Sequence, residues 1–185
     1  MRILGIDPSI RNTGWGMVTL DRSRLVHIAN GVIQPDPGAS DADRLAEIAA
    51  GLGSVIEAHR PDSAAIEEIF VARSAASALK LGMARGVAMM QCAAGGLDVA
   101  EIAAKQVKKS VVGTGRADKG QVAAMVTRLL SVKAVNADAA DALAIAIAAL
   151  HGGQPVSDTG ADGDGLSRAI AAALARDAGG RGGTS

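Results

Sequence analysis

Three places in the sequence put carboxylates where solvation alone does not explain them. Asp7 ends the apolar run that starts at Met1, Glu67 and Glu68 end the short apolar run from Ser63, and Asp138 and Asp141 open an Ala-rich segment. Each has a plain structural role to hand. Asp7 can cap the turn at Pro8-Ser9, Glu67 and Glu68 can be loop charges, and Asp138 and Asp141 can complement the positive end of a helix. Taken together they point further. Asp138 and Asp141 are three apart, so they share a helix face, and a helix apolar all round should be buried. Neighbouring carboxylates raise one another's pKa unless a cation neutralises them, and no Lys or Arg lies within that segment. A divalent ion would supply the charge. All-oxygen ligation favours Mg²⁺ or Mn²⁺ over zinc, and His27, His59, His151 and Cys92 show no zinc-ligand spacing. Acids from separated segments around hard metal ions are suited to phosphoryl transfer. There, one ion lowers the pKa of an attacking water and another stabilises the leaving 3′ oxygen.

A basic stretch lies between the acids. Residues 71 to 133 hold ten Lys and Arg against Asp98, Glu101 and Asp118, a local balance of +7 that the remainder of a chain with zero formal net charge cancels. Such asymmetry presents a basic face to an anion. The 185 residues, 49% hydrophobic and 21% charged, are enough for one domain with its own core, which excludes disorder and collagen-like repeats. A single Cys92 cannot form an intramolecular disulfide. With no secretory start and no long apolar run, the expectation is a cytoplasmic protein without membrane partners. Aromatics are scarce, Trp15 and Phe70 being the only two.

The elements that must position the acids follow from periodicity. The opening run to Asp7, Trp15 to Leu20 and Leu25 to Gln34 read as three strands, the latter two joined by the charged turn Asp21 to Arg24. Ser40 to Asp43 resembles a capping box. Beyond it Leu45, Ile48, Ala49, Leu52, Val55 and Ile56 recur at helical spacing up to Pro61. Ser63 to Glu67 predicts a buried strand, Ala75 to Ala93 a helix stopped by Gly95-Gly96, and Leu97 to Ile102 a fifth strand. Helical patterns then cover Lys105 to Val111, Lys119 to Leu130 and Asp138 to Leu150. The fold class is α/β, a mixed sheet flanked by helices. Residues 1 to 150 form the expected domain. Residues 151 to 185 are Gly-rich and predict a flexible tail with one short helix at Leu166 to Arg176.

Several blocks of this sequence are similar to the RuvC family of Holliday-junction resolvases. They are Gly5-Ile6-Asp7-Pro8 with Thr13-Gly14-Trp15-Gly16, Ala65-Ile66-Glu67-Glu68-Ile69-Phe70, Ser77 to Gly86, Gln106-Val107-Lys108, and Ala137 to Ala146. The resemblance runs in order over about residues 1 to 150. It implies a ribonuclease H-like fold with a five-stranded mixed sheet, and a structure-selective endonuclease that nicks four-way junctions in recombination and DNA repair. Asp7, Glu67, Asp138 and Asp141 align with the family's catalytic acids, which hold two Mg²⁺ per site, Mn²⁺ substituting. Glu67 is preferred to Glu68 because it occupies the motif position, and because strand alternation sends the two to opposite faces. Phe70 falls on the family's aromatic that engages an unstacked base. Lys108 and Lys119 match positions linked to the DNA backbone and catalysis, and Arg73 and Lys80 adjoin them as DNA contacts. The resemblance further implies a homodimer, for which the helix from Ala75 to Ala93 with Met89 and Met90 is a candidate surface, and RuvA and RuvB as partners.

Three other readings compete. The stretch Gly5 to Gly14 superficially resembles the first phosphate loop of actin-like and sugar-kinase ATPases, which need two such domains. A junction-binding module without catalysis would not need four acids. A ribonuclease H-like nuclease for another substrate would cut RNA:DNA hybrid or linear duplex without junction preference.

Overall fold

Strand β1 (Arg2–Asp7) runs through the middle of the fold because its alternate residues are apolar in both directions. Leu4 and Ile6 are fully buried on one side, and Ile3 is buried on the other. It pairs antiparallel with β2 (Thr13–Asp21), which pairs antiparallel with β3 (Arg24–Ile33). Arg22, at a φ of 57°, turns this hairpin. On the other side β1 pairs parallel with β4 (Ser63–Glu67), and β4 parallel with β5 (Val99–Ile102). The result is one five-stranded mixed sheet in the order β3-β2-β1-β4-β5. The computed structural model describes residues 1–68, 74–132 and 136–152. By compactness the chain divides into Met1–Pro155 and Val156–Ser185. The Gly-rich segment beyond Gly152, with the helix expected at Leu166 to Arg176, lies outside the described residues.

Helices cover both faces. Helix α1 (Asp41–His59) starts at Ser40, whose hydroxyl accepts from the Asp43 N–H and donates to the Asp43 carboxylate, and it stops before Pro61. With α2 (Ala75–Ala94) it buries Ile48, Leu52, Ala84, Ala88 and Cys92 against Leu4, Ile6, Met17 and Ile66. Helices α3 (Ala104–Val112), α4 (Lys119–Leu130) and α5 (Ala137–Gly152) build the second core, in which Val107, Val126, Leu143 and Ile147 meet Ile3, Val18 and Ala65. On α2, Met89 packs inward, whereas Met90 and Leu79 stand 54% and 66% exposed. Strand β5 begins at Val99 rather than at Leu97. The Leu97 N–H is taken by the Cys92 carbonyl, closing α2, while Gly96 turns the chain at a φ of 74°.

Helix α5 carries the expected all-round apolarity into burial: from Ala139 to Ala149 every residue except Asp141 is buried. It lies almost on the backbone of β1 and β2. A Cβ added to Gly5 would collide with the Ala142 carbonyl, one on Gly14 with the Asp138 carbonyl, and one on Gly16 with the Leu143 side chain. Those glycines face α5 in register, Gly5 opposite Gly16 and Asp7 opposite Gly14. Gly14→Ala should therefore lift the first turn of α5 and cost about 1–3 kcal/mol, as overpacking does. A lowered urea midpoint at unchanged m-value checks this.

Candidate active site

Asp7 and Glu67 reach the α5 side of the sheet by simple alternation. Asp7 follows Ile3 and Gly5, and Glu67 follows Ala65, all on that face. Ile6 pairs with Ile66 in parallel register, so the two acids follow side by side on strands about 4.8 Å apart. Glu68 is exposed and spends its N–H on the Ile102 carbonyl. Asn136 opens α5, its side-chain oxygen accepting from the Asp138 N–H at 2.9 Å and its carbonyl from the Ala140 N–H at 2.8 Å. The seat of that first turn on Gly14, the partner of Asp7, brings Asp138 and Asp141 to the strand ends.

Two lysines face these acids. Lys119 begins α4 behind a capping box in which Asp118 and Gln121 serve each other's N–H groups, and its ammonium donates to the Asp141 carboxylate at 2.8 Å. Lys108, half-buried on α3, lines a cleft of about 70 Å³ together with Glu67, Lys119, Asp141, Val107 and Val122. The missing cation of α5 thus comes from a neighbouring helix, an arrangement that spacing within one segment could not reveal. Lys80 is elsewhere: its ammonium lies 3.1 Å from Asp41, tying α2 to α1. Phe70 and Arg73 lie outside the described residues. Asn136 went unremarked in the sequence, although an Asn two residues before the first acid of an Ala-rich run is a helix-start signal.

The electrostatics of the cluster are unfavourable as it stands. Burial, then the charges of Asp141 and Glu67, push the Asp7 carboxyl up to about 7, Asp138 adding to the effect and Lys119 opposing it. Glu67 is raised for the same reasons, burial first and Asp141 next, with Lys119 and Lys108 pulling it down. Lys119 is held above its ordinary value chiefly by its hydrogen bond to Asp141. Among the described residues no three His, Cys, Asp or Glu side chains stand in ion-holding geometry, and Asp141 is engaged by the lysine. The donor set nevertheless fits a hard divalent cation. It is all carboxylate oxygen, crowded and partly buried, with repulsion that one ammonium does not remove.

A mixed sheet in this order, with acids at the ends of its two central strands and on the helix packed over them, defines a ribonuclease H-like nuclease. Comparison with known proteins is specific. The sequence profile described as "Crossover junction endodeoxyribonuclease RuvC" matches residues 3–149. The protein of that name from Maricaulis maris is 56% identical over 151 residues, which cover 82% of this chain and 91% of that one. The one from Parvibaculum lavamentivorans is 50% identical over 179 residues, 96% of each chain. Among solved structures, "T. thermophilus RuvC in complex with Holliday junction substrate" matches with a TM-score of 0.76 at 32% identity, over 81% of this chain and 93% of that one. The yeast mitochondrial Holliday junction resolvase Ydc2, at 17% identity and a TM-score of 0.57, shares the fold. The chain belongs to the RuvC family of crossover junction endodeoxyribonucleases, which are metal-dependent nucleases. Among the described residues no helix is long and apolar enough to cross a membrane.

The raised Asp7 has a measurable consequence in metal-free protein. Its folded pKa of about 7 lies above the unfolded value of 3.8, so the folded state binds the proton more tightly. Stability is then fully present below about pH 4 as far as this group is concerned, and is lost as pH rises through 7. Asp7→Asn removes the penalty. In EDTA at pH 8 the variant should be more stable than the parent by on the order of 3 kcal/mol, the difference vanishing towards pH 4. Urea titrations at the two pH values measure it.

Proposed function

We propose that the chain is a Mg²⁺-dependent, structure-selective endonuclease that resolves four-way (Holliday) junctions by symmetric paired nicks during homologous recombination and DNA repair. The observation that carries this reading is the gathering of Asp7, Glu67 and Asp141, with Asp138 beside them, into one repelling, partly buried cluster flanked by Lys108 and Lys119. In it Asp7, Glu67, Asp138 and Asp141 hold the metal. Two Mg²⁺, or Mn²⁺ in their place, would supply there the charge that lowers the pKa of a water and stabilises a leaving 3′ oxygen, the chemistry that leaves 5′-phosphate and 3′-hydroxyl ends. The protein's own groups do the rest. The sheet and α5 fix the four carboxylates on rigid elements. Lys108 and Lys119, at the cleft, attract and orient the phosphate, and Lys119 exchanges its bond to Asp141 for that role. Phe70 stacks on an unpaired base, and Arg73 and Lys80, the latter released from Asp41, add contacts to the DNA backbone.

A four-way junction has two-fold symmetry, so paired nicks call for two sites related by a dimer axis. Leu79, Gly82, Gly86 and Met90 lie exposed along one stripe of α2, with open space over both glycines, and support α2 as the surface of a homodimer. RuvA and RuvB, which drive branch migration, are the partners this reading entails, and a chromosomal substrate places the enzyme in the cytoplasm.

Cleavage of a synthetic mobile four-way junction, with linear duplex and RNA:DNA hybrid as controls, tests the function. Wild type should make paired symmetric nicks in Mg²⁺ and none in EDTA. Asp7→Asn and Asp141→Asn should each lower the rate by about 10²-fold or more while still binding the junction. Full activity in either variant, or equal cutting of linear duplex, overturns the reading. For the dimer, Leu79→Glu with Met90→Glu should yield monomers by sedimentation, and nicks that appear singly instead of in pairs.

A further inference from the structure

We propose that the cleft formed by Arg11, Asn12, Gln34 and Arg44 binds a backbone phosphate of the same DNA, a few nucleotides from the bond that is cut. The proposal rests on the DNA-cleaving reading above and adds a second point of grip to it.

The cleft, of about 600 Å³, lies between the turn after β1, the segment that follows β3 and the first turn of α1, with Pro35, Asp36 and Pro37 as its remaining wall. Arg44 is one of its lining residues. The Arg44 side chain is only 10% exposed, yet its Nε has no hydrogen-bond partner among the described residues. The nearest carboxylate, Asp41, is 3.8 Å from Nη1, beyond hydrogen-bond reach, and stands closer to Lys80 at 3.1 Å. A buried guanidinium with donors unused is costly, and its planar fork matches the oxygens of a phosphate. The lining carries two cations, Arg11 and Arg44, and one carboxylate, Asp36. That carboxylate accepts the Gly38 N–H at 2.9 Å, the Asp36 N–H donates to Glu47 at 3.1 Å, and among the described residues no bond joins Asp36 to Arg44.

Arg11 is presented by a rigid turn. Fully buried Thr13 donates its hydroxyl to the Ser9 carbonyl at 2.7 Å and accepts the Ser9 N–H at 3.3 Å, and the Arg11 N–H reaches the Ser9 hydroxyl at 3.3 Å. This turn continues directly from Asp7. Thr13 pairs with Ile33 just as Asp7 pairs with Gly14, so Gln34 lies at the same end of the sheet as the acids, two strand spacings or about 10 Å across. The acids lie on the α5 side of that end and Arg44 on the α1 side, so a strand that leaves the acid cleft across the end of β1 brings one of its next few phosphates to Arg11.

The test is equilibrium binding of a fluorescent four-way junction, and of linear duplex, to the full chain in EDTA at several salt concentrations. Wild type is compared with Arg11→Ala, Arg44→Lys and, as a control at the opposite end of the sheet, Arg24→Ala. Arg11→Ala should bind about 10-fold more weakly, and its plot of log affinity against log salt should be shallower by about 1, the signature of one lost phosphate contact. Arg44→Lys keeps the charge but loses the fork and should weaken binding several-fold, Arg24→Ala not at all. Wild-type affinity and slope in both variants overturn the proposal. If Arg44→Lys melts at the assay temperature by circular dichroism, exposed Arg11 decides alone. Saturable binding of inorganic phosphate with unaltered DNA affinity in the variants assigns the cleft to a free anion and also overturns it. A wild type that binds junction and duplex equally refutes junction selectivity, while Arg11-dependence on the duplex still upholds the cleft.

Discussion

The direct contact between helix α5 and the bare backbone of β1 and β2 is the constraint on which the rest of this molecule depends. Glycines at Gly5, Gly14 and Gly16 let a helix of mostly alanines settle where ordinary side chains would hold it off. The second core closes around that seat, with α3 and α4 packing on α5 in turn. The same contact decides the site. A helix held further from the sheet would carry Asp138 and Asp141 away from the ends of β1 and β4, and the acids would become separate surface charges of ordinary character.

Gathering them has a cost that the fold bears elsewhere. Burial and mutual repulsion push Asp7 far above a normal carboxylic acid, and a single exposed ammonium from α4 offsets only part of this. The interior of the sheet, where Leu4, Ile6, Ile66 and Met17 are fully buried, supplies stability that the acid edge subtracts. The arrangement also explains the uneven charge along the chain. The basic segment is the part that forms α3, α4 and the approach to them, which brings Lys108 and Lys119 to the acids.

Much of this was legible before any coordinates. Short apolar runs bounded by turn residues located all five strands, and the burial of α5 followed from its lack of a polar face. Strand alternation set Glu67 and Glu68 on opposite faces, and the motif position of the resemblance chose Glu67. Other features lay beyond local pattern. Leu97 looks like the start of a strand because it is apolar, and only the closing hydrogen bond of α2 withdraws it. The Lys119–Asp141 bond joins residues 22 positions apart, and the cleft that Arg44 lines takes its wall from the segment after β3. Such facts are tertiary, so a one-dimensional reading reaches the groups but not their pairings. Five carboxylates stood out because their residue types conflict with their apolar settings, and the resemblance to the family narrowed them to four.

Helix α5 combines two duties that most folds keep apart, since it is both the keystone of a core and the carrier of two of the clustered acids. Between Ala139 and Ala149 only Asp141 reaches solvent, so almost no other substitution along that stretch is neutral for folding. Intolerance to mutation across the whole helix would consequently reveal nothing about which positions do chemistry. It also means that selection for a foldable chain alone preserves the platform, and the placement of Asp138 and Asp141 is inherited with it.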